Sequence, residues 1–246
     1  MNASAEVSRP VALVTGATSG IGREVARALA ADGFSVLVHG RDAARGAAVV
    51  DEITATGGQA RFVAADLTDV EQIRALAAEA DAAGAEVLVN NAGLAWFGPT
   101  DTLEPGVFDT MFSANVKSAY YLVAGIAPGM VKRGSGSIIN LGSMAGQIGL
   151  AGGAAYSATK AALASFARSW AAEFSPQGVR VNTVAPGPAY TDGAVPERTA
   201  ALGATTLLNR AAQASEIADV IAFLASPKSA YITGTVIAAD GGRTAI

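Results

Sequence analysis

Short runs of valine, leucine, isoleucine and alanine alternate with longer stretches of helical periodicity along the whole chain, and the runs show no polar alternation. Residues 11–15, 35–39, 60–65, 86–90, 137–141, 180–184 and 232–238 read as seven strands. Helices are expected over about 21–32, from Asp42 or Ala43 onward, and from an Asp69 N-cap to Ala83. Further helices fall over about 104–133 (with a break near Ser113), 154–175 and 214–225. A strand apolar on both faces needs cover on both, which a parallel sheet with crossover helices supplies. Right-handed crossovers then give a doubly wound α/β sheet of seven parallel strands with helices on both faces. No repeat, charge block or low-complexity linker divides the 246 residues, so one domain over 1–246 is expected.

Composition removes several function classes. A hydrophobic fraction of 51% with a net charge of -4 is the reverse of a disordered chain. Without cysteine there is no disulfide, thiolate metal site or cysteine nucleophile. The single histidine, His39, leaves no two-histidine metal site, and none is expected. The acidic balance argues against a nucleic-acid partner. No apolar run reaches the roughly 18 residues of a membrane span, and residues 1–10 lack the apolar core of a signal peptide. A cytoplasmic protein is expected.

Two loops leave the carboxyl ends of strands, where open α/β sheets bind ligands: 93–105 after the fourth strand and 186–209 after the sixth. The second, with Pro186, Gly187, Pro188, Gly193 and Pro196, reads as a substrate lid or, more plainly, as a surface insertion. Between the first strand and its helix lies Thr15-Gly16-Ala17-Thr18-Ser19-Gly20-Ile21-Gly22. Glycines there allow a tight turn and close approach of backbone to a pyrophosphate, while the helix N-terminus offers N–H donors. Turns need glycine for their own sake, so the loop acquires meaning from its place after a first strand.

That segment, together with Asn90-Asn91-Ala92-Gly93 and Tyr156-Ser157-Ala158-Thr159-Lys160, resembles the short-chain dehydrogenase/reductase family, in its branch of about 250 residues. The resemblance runs from Val11 to Gly242 and implies a single Rossmann domain and an NAD(P)-dependent oxidoreductase. Tyr156 and Lys160 are four residues apart, so they share a helix face. The family uses the matching Tyr as proton donor or acceptor and the matching Lys to hold the nicotinamide ribose. A nearby ammonium is expected to lower the Tyr156 pKa. Ser143, 13 residues before Tyr156, matches the serine that bonds the substrate oxygen. Asn115 matches the asparagine that keeps a relay water; otherwise it satisfies a helix kink.

The same likeness implies cofactor contacts from Gly16, Thr18, Ser19, Gly20, Ile21 and Gly22, and from Asp66 and Leu67 at the adenine. It adds Asn90 and Gly93 beneath the cofactor, and Pro186, Gly187 and Thr191 at the carboxamide. Where an NAD enzyme carries an acid, this chain has Gly40 followed by Arg41, which can bond a 2′-phosphate; NADP is therefore expected over NAD. Ser19 stands where many NADP members have a basic residue. No arginine follows Gly93 in its loop, unlike many acyl-carrier-protein ketoreductases, so the expected substrate is a small carbonyl compound or secondary alcohol. Trp96, Phe97, Met144, Ile148 and Tyr190 are candidate pocket residues, though Trp96 or Phe97 could instead pack beneath its own loop. The helix after Tyr156 is small and apolar nearly all round, with Trp170 on it, which suits burial against a partner subunit or cover by its own subunit, and the resemblance implies that the assembly is a homotetramer. A non-catalytic nucleotide-sensing or scaffold protein of the same fold is the rival reading, and a lyase or epimerase a second.

Overall fold

The computed structural model describes residues 9–246. Most of the segment used to exclude a signal peptide, residues 1–8, lies outside the described residues. Six strands, β1 (Val11–Val14), β2 (Ser35–Gly40), β3 (Gln59–Ala64), β4 (Ala85–Asn90), β5 (Gly136–Leu141) and β6 (Val179–Pro186), join one sheet. A separate parallel pair, β7 (Ala189–Tyr190) and β8 (Ala212–Gln213), precedes the last sheet strand, β9 (Val236–Ala239). The main sheet runs β3-β2-β1-β4-β5-β6-β9, parallel throughout. Strand order reverses between β1 and β4, which opens a crevice at their carboxyl ends.

The helices are α1 (Gly20–Ala31), α2 (Ala43–Ala55), α3 (Val70–Ala82), α4 (Pro105–Phe112), α5 (Ser118–Arg133), α6 (Ala154–Phe174), α7 (Pro196–Gly203) and α8 (Ala214–Ala225). Adjacent strand residues feed opposite cores, because successive side chains point to opposite faces. Leu13, Leu37, Leu88 and Ile138 pack with α3, α5 and α6; Val14, Val38, Val89 and Ile139 pack with α1, α2 and α8. Each such side chain contributes roughly 1.5–3 kcal/mol of burial, which is why the strands could not alternate with polar residues.

Asp69 caps α3 by accepting from the N–H groups of Glu71 and Gln72, and Asp42 caps α2 by accepting from Arg45. The break expected near Ser113 is a π-helical turn, Ser113–Lys117, between α4 and α5. The seventh strand starts four residues later than the sequence suggested. Gly234, with φ +70°, bonds back to the Val181 carbonyl and keeps residues 232–234 in a turn. The stretch 186–209 is not bare loop; it carries β7 and α7. Trp170 is only 6% exposed within its own chain, against Phe166 and Tyr120, so a charge there would strike the fold before any assembly. Among the described residues no helix is long and apolar enough to cross a membrane, and no three acidic, histidine or cysteine side chains gather as a metal site.

Candidate active site

The glycine loop is tied down on three sides. Gly16 (φ +63°) and Gly20 (φ +53°) take left-handed turns that a Cβ resists. At Gly22 the constraint is contact: a Cβ would sit 2.3 Å from the Gly16 carbonyl oxygen. Thr15 Oγ1 donates to the Val89 carbonyl (3.1 Å) and accepts from the N–H groups of Asn91 and Ala92 (both 3.0 Å). Asn91 Nδ2 donates to the carbonyls of Thr15 (2.7 Å) and Gly16 (3.1 Å). His39 Nδ1 accepts from Gly16 N–H at 3.1 Å while Nε2 donates to the Ala65 carbonyl at 3.1 Å, which fixes a neutral tautomer. Burial lowers the His39 pKa and keeps it neutral. Thr15, Asn91 and His39 were not assigned to the site from sequence; Asn91's place inside the Asn-Asn-Ala-Gly segment was the available signal.

The loop opens onto a cleft of about 540 Å³ at the β1/β4 crevice. Gly16, Thr18, Ser19, Gly20, Ile21, Gly22, Arg41, Asp66, Leu67, Gly93, Tyr156, Lys160 and Thr191 all line it. Ser19 caps α1 without a side-chain bond, and Gly20 N–H donates to Asp192 Oδ2, just after β7, at 3.0 Å. Arg41 has no carboxylate partner among the described residues, whereas Arg23 is taken by Glu52 and Arg45 by Asp42. Arg45 also lines the cleft and was not anticipated. Gly40 has a packing reason of its own, since a Cβ there would lie 2.4 Å from Thr18 Cγ2. Asp66 Oδ1 accepts from Thr68 N–H (2.9 Å) and Oγ1 (2.8 Å), bonds that lower its pKa and keep it ionised.

At the other end of the cleft, α6 presents Tyr156 and Lys160 one turn apart. Lys160 Nζ donates to the Leu141 carbonyl at 2.8 Å and lies 5.7 Å from the centre of the Tyr156 ring. Burial lowers the Lys160 pKa to about 8. Tyr156 departs from expectation. Its pKa is raised by burial, and the neighbouring Ser143 hydroxyl only partly offsets this. The Ser143 hydroxyl is oriented by accepting from Ala145 N–H at 3.1 Å.

Asn115 sits in the π-helical turn and clamps the loop after β4. Its Oδ1 accepts from Leu94 N–H (2.7 Å), and its Nδ2 donates to the Leu94 carbonyl (2.8 Å) and to Thr159 Oγ1 (3.0 Å). Asn90, Asn115, Ser143, Pro186 and Gly187 do not line the cleft. Asn90 Nδ2 donates to Asn140 Oδ1 across the sheet at 2.9 Å, while Gly187 lets β6 approach Asp240, whose Cα would lie 2.7 Å from an added Cβ. Trp96 and Phe97 divide the two readings between them. Trp96 folds onto Gly98 of its own loop, where a Cβ would meet its ring at 2.7 Å. The Phe97 ring lies 5.3 Å from that of Tyr156.

Three comparisons bear on this arrangement. Residues 10–201 match the family model described as short chain dehydrogenase. The chain is 38% identical over 241 residues to galactitol 2-dehydrogenase (L-tagatose-forming) of Cereibacter sphaeroides, covering 95% of this chain and 94% of that one. It is 36% identical to the 3-oxoacyl-[acyl-carrier-protein] reductase of Staphylococcus aureus, covering 94% and 96%. A 3-oxoacyl (acyl-carrier-protein) reductase of Agrobacterium tumefaciens, solved with NADP bound, superposes with a TM-score of 0.90 at 32% identity, covering 95% and 93%.

Proposed function

This chain belongs to the short-chain dehydrogenase/reductase family, and from that premise we propose an NADP-dependent oxidoreductase that moves hydride between the nicotinamide and a carbonyl or secondary-alcohol carbon, with Tyr156 as acid/base. One observation carries the reading: Tyr156 and Lys160 line the same cleft as the glycine loop. The residues present suit the cofactor. At the N-terminus of α1 the Ser19 side chain makes no cap bond, and the Asp192 carboxylate on Gly20 N–H is the group a pyrophosphate would displace; Arg41, beside Gly40, has no carboxylate partner among the described residues. The similar reductase crystallised with NADP supports the same choice over NAD.

When bound, the nicotinamide supplies or accepts the hydride. The Ser143 hydroxyl donates to the substrate oxygen and stabilises the charge that develops there. Tyr156, kept protonated at neutral pH by its raised pKa, gives its phenolic proton to that oxygen during reduction and takes it back during oxidation. Lys160 holds the ribose hydroxyls, and it remains mostly an ammonium at neutral pH. Asn115 completes the relay by keeping a water on the path to Lys160. Asp66 and Leu67 receive the adenine, Asn90 supports Gly93 from within the sheet, and Pro186, Gly187 and Thr191 belong to the carboxamide side. Residues 186–209 act as the substrate lid on a single domain spanning 1–246. Two of this chain's groups of apolar side chains, Tyr120 with Phe166 and Phe108 with Phe112, lie at the α4–α5–α6 face and suit a cytoplasmic homotetramer.

A panel of small ketones and secondary alcohols, followed at the nicotinamide absorbance with NADPH and NADH in parallel, tests the reading. One NADPH consumed per carbonyl reduced supports it. Tight NADPH binding with no consumption across the panel turns the assignment toward a nucleotide-binding protein without turnover.

A further inference from the structure

We propose that the substrate carries an anionic group, a carboxylate or a group of like charge, and that Arg198 on the lid helix α7 receives it. The inference rests on the carbonyl chemistry assigned to Tyr156 and names the class of substrate that chemistry serves. The Arg198 guanidinium lies 5.3 Å from the centre of the Phe97 ring, and that ring lies 5.3 Å from Tyr156. Two short steps thus join the lid to the catalytic phenol, and they bound the length of a substrate that touches both ends.

What makes Arg198 more than a clasp for the lid is its unused bonding capacity. A cation against an aromatic ring gains about 0.5–1 kcal/mol at an exposed site. That contact satisfies none of the five N–H donors, and among the described residues none finds a hydrogen-bond acceptor and no carboxylate lies within ion-pair distance. Glu197, its neighbour in sequence, makes no ion pair with it. The other lid carboxylate, Asp192, is committed to Gly20 N–H. A guanidinium held against Phe97 with its donors free is suited to bidentate capture of a planar anion. Phe97 and Leu94, 40% and 39% exposed, supply an apolar stretch between the two polar ends. The substrate this describes has a carbonyl, a short apolar spacer and an anionic terminus.

The probes are levulinate, the two next longer oxo acids of the same series, and the methyl ester of each, assayed with NADPH on the full chain. The expected result is that kcat/KM favours at least one acid over its ester by about tenfold, a typical scale for a charge-assisted pair. In Arg198→Gln that ratio collapses toward one, with the change in KM rather than kcat, and Arg198→Lys restores part of it. Wild type without any acid preference overturns the proposal. So does an equal loss on acids and esters in Arg198→Gln, which is the signature of a lid clasp. Calorimetry of the same acids on the NADPH-loaded protein separates this inference from the assigned reaction. Acid binding that Arg198→Gln weakens and Tyr156→Phe spares upholds the anion site even if the reaction at Tyr156 proves different. Acids that bind neither wild type nor variant, and are not reduced, overturn it.

Discussion

At the glycine loop, Thr15, Asn91 and His39 tie successive backbone groups to β1, β4 and the end of β3, and the ties are short and shielded from water. Across the cleft, the proposed lid over residues 186–209 is built in the opposite manner. Val195, Leu207 and Leu208 are 60%, 61% and 64% exposed, and Leu208 reaches the rest of the protein through one backbone bond to Gly241. A buried polar network holds one geometry, because each bond lost leaves a desolvated partner. Exposed backbone bonds and few buried contacts leave low local stability. The glycine-loop half is therefore held in one geometry, and the proposed lid is the half with fewer buried ties.

The sharpest contrast between chemistry and framework comes from Tyr156→Phe. It should lower kcat by about a hundredfold or more, the scale of a lost acid/base group, while the Kd for NADPH stays within a few fold. Turnover at even a tenth of wild type breaks the assignment. Next in size is Asn91→Ala, which leaves the Thr15 and Gly16 carbonyls without their donor. Stability should fall by about 1–3 kcal/mol and NADPH binding by tenfold or more, read by denaturant titration and fluorescence. Unchanged binding would mean that the loop does not depend on its anchors.

Arg41→Ala should raise the KM for NADPH by about tenfold, equivalent to roughly 1.4 kcal/mol, and barely affect NADH. Equal effects on both cofactors would put the arginine on the adenine instead. A smaller change follows from pH. Lys160 is an ammonium below its pKa of about 8, so NADPH affinity should decline by a few fold as pH rises through that value. Calorimetry across the range, with Lys160→Met as the flat reference, measures it. Because burial depresses this pKa, folding stability moves the other way: the unfolded chain holds the proton to higher pH, and the folded form gains stability as pH rises from about 8 toward 10.5. The smallest effect belongs to the lid. Leu208→Ser should stay within about 0.5 kcal/mol of wild-type stability and leave NADPH binding unaltered.

The contrast also explains what could be read before the structure. Leu13 and Val14 face opposite cores, so the strand had to be apolar at both positions, and that double burial is visible as an unbroken run. The glycine loop and the Tyr156–Lys160 pair could be found because each is local in sequence. Thr15 and Asn91 escaped because their bonds join residues 74 to 77 positions apart, and nothing in a threonine or an asparagine announces such a partner. The direction of the Tyr156 shift was misjudged for the same reason. The four-residue spacing places an ammonium nearby but does not reveal the burial that raises the Tyr156 pKa, against which the Ser143 hydroxyl is the opposing influence. Helix α7 was missed because a short, polar, surface helix after Pro196 looks like loop, and the late start of β9 depends on a turn at Gly234 bonded to β6.

The contact between Gly40 and Thr18 gives cofactor preference a history-dependent character. A side chain at position 40 runs into the Thr18 methyl at 2.4 Å, so Gly40→Asp arriving first would distort the loop before its carboxylate met any ribose. Thr18→Gly arriving first makes the space, and the same aspartate then enters without collision. The two changes do not commute: one order meets the Thr18 methyl and the other does not. If Arg41 reads the 2′-phosphate as proposed, a library sampling single substitutions would meet the constraint on its neighbour Gly40 at position 18.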